Sequence, residues 1–255
     1  MIKISIIIPA YNEEKRISKT IRDYVKYFKN YKYEIIVIPN GCKDKTEEII
    51  KKFSKNNKKI KYHIIKEAIG KGGAIKEGFK IAQGDLIGFV DADNSTKPED
   101  FEDLINNIKD YDCIIASRYI KGATVKPKQS ITRIIASRAF NLLVRILFGL
   151  KISDTQCGAK LFKKEVIKNI TKKLDLTRWA FDVDLLLKTK NSGYKIKEYP
   201  TKWEDSYGSK LKMHKAIPEM LLSLTRLKLI NSRFNFIIKI YDSLPEFIKI
   251  HHKLR

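Results

Sequence analysis

The chain has 255 residues, with 52 Lys+Arg against 29 Asp+Glu for a net charge of +23, and 43% of its positions are hydrophobic. This content excludes a disordered chain, and the length carries one large domain or two small ones with a sizeable core. Three cysteines, Cys42, Cys113 and Cys157, show no CxxC spacing, which argues against a disulfide framework or a zinc site and for a reducing, cytosolic setting.

Short β-branched runs at Ile4–Ile8, Glu34–Ile38, Ile60–Ile65 and Leu86–Val90 alternate with segments of helical period, the rhythm of a parallel α/β sheet. Helices are predicted over Glu13–Phe28, with Ile17, Ile21, Tyr24, Val25 and Phe28 on one face, over Thr46–Phe53, and over Ala74–Ala82 behind Gly70-Lys71-Gly72-Gly73. Gly84-Asp85 turns the chain into the fourth strand. A helix from Glu99 to about Ile108 and a strand Cys113–Ser117 follow. No export signal is predicted at the N-terminus. No membrane span is predicted either, because a span needs about 20 mostly apolar residues. The longest apolar stretch, Phe140–Leu150, is broken by Asn141 and Arg145.

From Arg118 to Lys151 there are eight basic residues and no acidic one. From Ser206 to Arg255 ten basic residues stand against three acidic ones, among apolar positions at helical spacing. Such one-sided charge is either a solvated face or a binding surface for phosphate, nucleic acid or an anionic membrane. No helix-turn-helix, zinc finger or aromatic-rich RNA-binding strand motif accompanies it, so nucleic acid is not expected as a partner.

Asp91-Ala92-Asp93 ends the fourth strand, at the carboxyl edge where ligands of open α/β folds bind. Two carboxylates so placed suit Mg²⁺ or Mn²⁺, hard cations that also bridge to phosphates. Pro9-Ala10-Tyr11-Asn12-Glu13-Glu14 follows the first strand and offers an aromatic face for a base. Gly70-Lys71-Gly72-Gly73 is either a tight turn or a cradle that lets a phosphate approach Lys71. No Walker A or dinucleotide fingerprint occurs at the first strand, which argues against a phosphate-loop ATPase or an NAD enzyme.

These residues resemble the inverting glycosyltransferases of GT-A fold, which carry P-x-Y-N-E after the first strand and a D-x-D after a later one. More narrowly, the sequence is similar to the dolichyl-phosphate β-glucosyltransferase and dolichyl-phosphate mannose synthase group. That similarity rests on Gly70–Ala74, Asp91–Asp93, Ser117-Arg118-Tyr119, Asp154–Phe162, Arg178–Asp184 and Trp203 through Gly208-Ser209-Lys210, covering roughly residues 1–212 in order. It implies a GT-A (Rossmann-like), mostly parallel sheet flanked by helices, residues 1–212 forming the catalytic domain. Residues 213–255 would form a C-terminal extension of basic amphipathic helices facing a membrane surface.

The resemblance also implies a reaction, in which a nucleotide sugar of the UDP-glucose or GDP-mannose type gives its glycosyl unit to a polyprenyl (dolichyl) phosphate with inversion. Asp91 and Asp93 would hold Mg²⁺ or Mn²⁺ against the leaving diphosphate. Lys71 would assist them, and Pro9, Tyr11, Asn12, Glu13, Asn40 and Ala92 would line the nucleotide-sugar site. Arg118 and Arg133 would grip phosphates through guanidinium forks, with Arg138 a weaker candidate. Asp154 and Asp182 are bases or orienters of the reacting site, and Asp182 has the further reading of a partner for Arg178. Cys157 is expected to be a small buried residue. Where relatives carry Asp-Asp-Gly-Ser after the second strand, this chain has Pro39-Asn40-Gly41-Cys42, so the usual acceptor for a pyrimidine N–H is missing and only the Asn40 carbonyl remains. Peripheral attachment to the cytoplasmic face of a membrane is expected through Ile131–Leu150 and the C-terminal tail. The competing readings are a soluble glycosyltransferase acting on a sugar or protein hydroxyl, which needs a firm general base, and a nucleic-acid-binding protein supported by charge alone.

Overall fold

Along the first strand, β1 (Ile4–Ala10), successive side chains enter two different cores: Ile7 packs on one face of the sheet, Ile6 and Ile8 on the other. The same period of two divides Ile36 and Ile38 from Ile35 and Val37 in β2 (Tyr33–Pro39), and Cys113 and Ile115 from Ile114 and Ala116 in β5 (Cys113–Ser117). A strand buried on both faces needs apolar residues at every position, which is why these strands read as unbroken hydrophobic runs. The protein is seen in a computed structural model that describes residues 3–127, 130–175, 178–204 and 213–244. Gly208, Ser209 and Lys210 of the C-terminal motif, Lys128, and the basic residues after 244 lie outside the described residues.

With β3 (Ile60–Tyr62), β4 (Leu86–Phe89), β7 (Lys160–Lys163) and β8 (Ile196–Pro200), these strands form a seven-stranded sheet in the order β3-β2-β1-β4-β7-β5-β8. All neighbours are parallel except β7, which runs antiparallel to both β4 and β5. A second, parallel pair joins β6 (Thr124–Lys126) to β9 (Lys202–Glu204). On one face lie α1 (Ile17–Tyr27), α2 (Thr46–Asn56) and α4 (Pro98–Asn107), contributing Ile21, Tyr24, Ile50, Phe101 and Leu104 to the core. On the other lie α3 (Gly70–Ile81), α5 (Ile131–Phe148), α6 (Lys164–Ile170), α7 (Phe181–Asn191) and α8 (Met213–Ile230). In α8, Ala216, Met220, Leu224 and Leu227 recur at helical spacing and pack into that same core. A last helix, α9 (Asn235–Ser243), buries no residue.

The mostly parallel α/β architecture agrees with expectation, while several boundaries move. The helix expected from Ala74 begins at Gly70, so the glycine cluster is its first turn; a Cβ at Gly72 would fall on the Phe181 ring, and only glycine lets α3 sit this close to α7. The third strand stops at Tyr62, with Ile65 making one isolated bridge to Asn40. The first helix starts at Ile17, after a turn in which Glu13 and Glu14 tie to the next loop through Thr46 and Asp44. Antiparallel β7 was not foreseen, and its reversal decides the site: it delivers residues 154–159 to the edge where the parallel strands end.

Candidate active site

The carboxyl ends of β1, β2, β4 and β5, the first turn of α3 and the start of α7 converge on one cavity of about 1030 Å³. This is the edge at which the geometry of a parallel sheet opens a crevice. Of the residues expected here, Pro9, Tyr11, Glu13, Asn40, Lys71, Asp91, Ala92, Asp93, Arg118, Arg133 and Asp182 line the cavity. Asn12 and Asp154 do not. Asn12, at φ 54°, accepts the Lys43 N–H at 2.8 Å and ties the first loop to the second.

At the polar end, Lys71 Nζ lies 2.5 Å from Asp91 Oδ1. Burial works against the Lys71 charge, but Asp91, and after it Asp182, outweigh that and raise its pKa. Burial in turn lifts the Asp91 carboxyl above its usual value, with Lys71 pulling it down and Asp93 adding to the lift. Asp91 also backs onto Gly158, where any side chain would collide with its carboxylate. Asp93 accepts the Ser95 N–H at 3.0 Å. Among the described residues no cluster of three or more His, Cys, Asp or Glu is arranged around a metal position. The D-x-D pair thus supplies two carboxylates, a set that fits a cation completing its shell from substrate phosphates and water.

Asn40 is buried, and both its backbone N–H and its Nδ2 donate to Ala10 O, at 3.0 and 3.1 Å. That fixes the amide so that its carbonyl oxygen is the side-chain acceptor left for a ligand. Glu13 grips Arg16 through both oxygens at 2.7 and 2.8 Å, and burial raises its pKa against that pull.

Both candidate bases are already bonded to cations. Asp154 is fully buried and accepts three bonds from Arg118: from Nε at 2.7 Å, Nη2 at 2.9 Å and the backbone N–H at 3.0 Å. The guanidinium also sits 5.1 Å from the Trp203 ring and 5.3 Å from that of Tyr119. Burial opposes its charge, but Asp154 more than compensates and raises its pKa. Arg138 covers Tyr119 at 5.1 Å and lies off the cavity wall. Asp182 pairs with Lys160 at 2.7 Å and not with Arg178; Lys160 is fully buried and also donates to Cys157 O at 2.7 Å. Burial pushes the Cys157 thiol up to about 12, as befits an inert packing residue.

Toward its other end the cavity becomes apolar, between Ala136, Ala139, Phe140 and Leu143 of α5 and Ile217, Met220 and Leu221 of α8. Trp179 Nε1 donates to Glu219 at 2.6 Å and ties the start of α7 to α8 across this end. Lys160, Glu219 and Trp203 were not singled out as site residues from sequence, although Lys160 and Trp203 stand inside the motifs that carry the resemblance.

A mostly parallel sheet with one reversed strand, a D-x-D after its central β4 and a crevice at the carboxyl edge defines the GT-A class of α/β proteins. The chain belongs to glycosyl transferase family 2, whose sequence profile matches residues 5–171. It is 32% identical over 255 residues to the dolichyl-phosphate beta-glucosyltransferase of Dictyostelium discoideum, an alignment spanning 94% of this chain and 76% of that one. It is 29% identical over 217 residues to glycosyltransferase AglD of Haloferax volcanii, covering 82% of this chain but 34% of the relative. Glucosyl-3-phosphoglycerate synthase from Mycobacterium tuberculosis, solved with Mn²⁺, UDP and glucosyl-3-phosphoglycerate, superposes with a TM-score of 0.64 at 16% identity, over 89% of this chain and 80% of that one.

Proposed function

We propose that this chain moves a hexosyl unit from a nucleotide-diphosphate sugar, of the UDP-glucose or GDP-mannose type, to the phosphate of a polyprenyl lipid of the dolichyl class, with inversion. The observation that carries this reading is the state of the two candidate bases: Asp154 and Asp182 each bind a buried or nearly buried cation at 2.7 Å. A sugar or protein hydroxyl needs a base to take its proton, whereas a phosphate arrives as an anion and needs to be positioned. The names of the relatives at 32% identity support the same acceptor class.

In this reading Asn40 and Tyr11 hold the base, Lys71 holds the diphosphate, and Arg118 and Arg133 hold the acceptor phosphate. A phosphate oxygen attacks the anomeric carbon on the face opposite the diphosphate; the new C–O bond forms as the old one breaks, and its electron pair leaves on the diphosphate. No proton changes hands. Mg²⁺ or Mn²⁺ held by Asp91 and Asp93 would neutralise the charge that develops on the leaving group. Lys71 supplies the protein's own share of that neutralisation and orients Asp91.

The apolar end of the cavity suits the first isoprene units. Ile131, Ile135, Leu142 and Ile146 of α5 and Phe236, Ile237 and Ile240 of α9 are exposed in a strongly basic part of the chain. No helix among the described residues is long and apolar enough to cross a membrane. Peripheral attachment of these helices to the cytoplasmic face of a membrane, with residues 213–255 as the attaching extension, brings the cavity to its lipid.

The deciding experiment offers UDP-glucose and GDP-mannose in turn, with farnesyl phosphate or farnesol as acceptor, with and without Mn²⁺. Metal-dependent transfer to farnesyl phosphate alone is expected, from one of the two donors. Transfer to farnesol alone would overturn the phosphate reading and return a hydroxyl acceptor to first place.

A further inference from the structure

The loop that aims Arg118 is fastened from outside the site. Asn141, buried in the middle of α5, turns its Oδ1 toward Thr155 and accepts both the backbone N–H at 2.9 Å and the Oγ1 hydroxyl at 2.8 Å. Its Nδ2 donates to Ser137 O at 2.9 Å, one turn back along the same helix. Every polar atom of the side chain is therefore engaged, and its place is determined from two sides. On the opposite side of the loop, Glu198 of β8 accepts the N–H groups of Ser153 and Asp154, at 2.9 to 3.2 Å. The turn 153–155 is thus held between α5 and the sheet, and its central residue, Asp154, is the one that fixes both ends of Arg118.

The helix that supplies Asn141 also supplies Arg133, two turns earlier and on the cavity wall. The tether between α5 and the Asp154 turn therefore joins the two elements that carry these guanidinium groups, which come from distant parts of the chain. We infer that Asn141 is a positioning residue: by holding Thr155 it fixes the spacing of the Arg118 and Arg133 forks so that both meet one acceptor phosphate. The inference rests on the proposed phosphate acceptor, and it predicts a specific kinetic fault. A misplacement of about 1 Å between gripping groups costs up to roughly a hundredfold in rate. Here the loss is expected to fall on the acceptor, because the nucleotide end of the cavity is built from β1, β2, β4 and α3, whereas the Asn141 side chain bonds to Thr155 and Ser137.

The test compares wild type with Asn141→Leu, Asn141→Asp and Thr155→Val, reading KM for farnesyl phosphate, the dissociation constant for UDP or GDP, and Tm. Leucine keeps the volume and removes the acceptor; we expect its farnesyl phosphate KM to rise about tenfold or more, the lower part of the range for such a misplacement, while nucleotide affinity stays within about twofold. A carboxyl oxygen accepts both Thr155 bonds as the amide oxygen does, so Asn141→Asp is expected to restore most of the acceptor affinity. Thr155→Val removes one of the two tethers and is expected to fall between. Should Asn141→Leu not fold, the contrast between Thr155→Val and Asn141→Asp decides. An unchanged acceptor KM with only a lowered Tm would overturn the inference and leave Asn141 a packing residue. A wild-type enzyme that glycosylates farnesol and not farnesyl phosphate would instead overturn the phosphate reading beneath it.

Discussion

Lys160 Nζ lies 2.7 Å from Asp182 Oδ1, and this ammonium is completely buried. A charge without its partner in such a place is strongly unfavourable, by about 3–5 kcal/mol when one member of a buried pair is removed. Lys160→Met is therefore expected to lower unfolding free energy in denaturant by about that amount. Asp182→Asn is expected to be destabilising as well. The double variant should recover part of the loss, because neither charge is then left alone. Strictly additive losses would mean that the pair is not coupled.

Asp154 presents the sharper question of role. The three bonds its carboxylate accepts all come from Arg118, so Asp154→Asn, which sets an amide N–H against the guanidinium, should disturb how the acceptor is held. The expected outcome is a farnesyl phosphate KM raised roughly tenfold or more, with a smaller fall in kcat at saturating acceptor. Arg118→Lys should act the same way, since one ammonium cannot serve Asp154 and a phosphate with a fork's geometry. A kcat reduced by about 10²–10⁴ at unchanged KM would instead mark Asp154 as a general base.

The Lys71 ammonium stands where a cation would meet Asp91, and among the described residues no third ligating side chain joins Asp91 and Asp93 in a metal cluster. Mn²⁺ binding followed by electron paramagnetic resonance should therefore be weak alone and at least about tenfold tighter with UDP or GDP, whose phosphates complete the shell. Lys71→Ala should tighten Mn²⁺ binding without nucleotide, by removing a competing charge at 2.5 Å, and weaken nucleotide binding. Asp93→Asn should weaken Mn²⁺ in either condition. Equal Mn²⁺ affinity with and without nucleotide would show that the shell is complete from protein groups.

What could be read from the sequence is what lies close together in it. The strands β1, β2, β4 and β5 announce themselves because both faces are buried, and Asp91-Ala92-Asp93 because its two carboxylates flank a single residue at a strand end. Arg118 and Arg133 stood out through the one-sided charge around them. Lys160, Asn141 and Glu198 did not, because their partners lie 22, 14 and about 45 residues away. A lysine in a strand and an asparagine in a helix carry no local mark of such a partner. β7 itself was equally hidden, since four residues, Lys-Leu-Phe-Lys, are too short to show a strand's alternation and read the same whether their neighbours run with them or against them. Asp154 and Asp182 read equally as base or orienter in the sequence, because nothing beside them in it names the cation that each contacts.

The proposed membrane attachment can be tested apart from chemistry because the exposed isoleucines of α5 are not on the cavity wall. Ile131 is 75% exposed and Ile146 71%, with Ile135 between them on the same face. Burying one such side chain in an apolar layer is worth about 1.5–3 kcal/mol, and each basic residue close to an anionic surface adds about 1 kcal/mol. The wild-type chain is thus expected to float with vesicles containing anionic lipid at low salt and to be partly released as salt screens the charge. Ile135→Glu with Ile146→Glu should lower that binding at least about tenfold, since both apolar contributions are lost and two acidic groups are placed against the surface. Transfer to farnesyl phosphate in detergent-free solution should survive the double change, because neither residue lines the cavity. A wild-type chain that stays unbound at low salt would rule out this face as the attachment surface; loss of soluble activity in the double variant would show that α5 had moved and taken Arg133 with it.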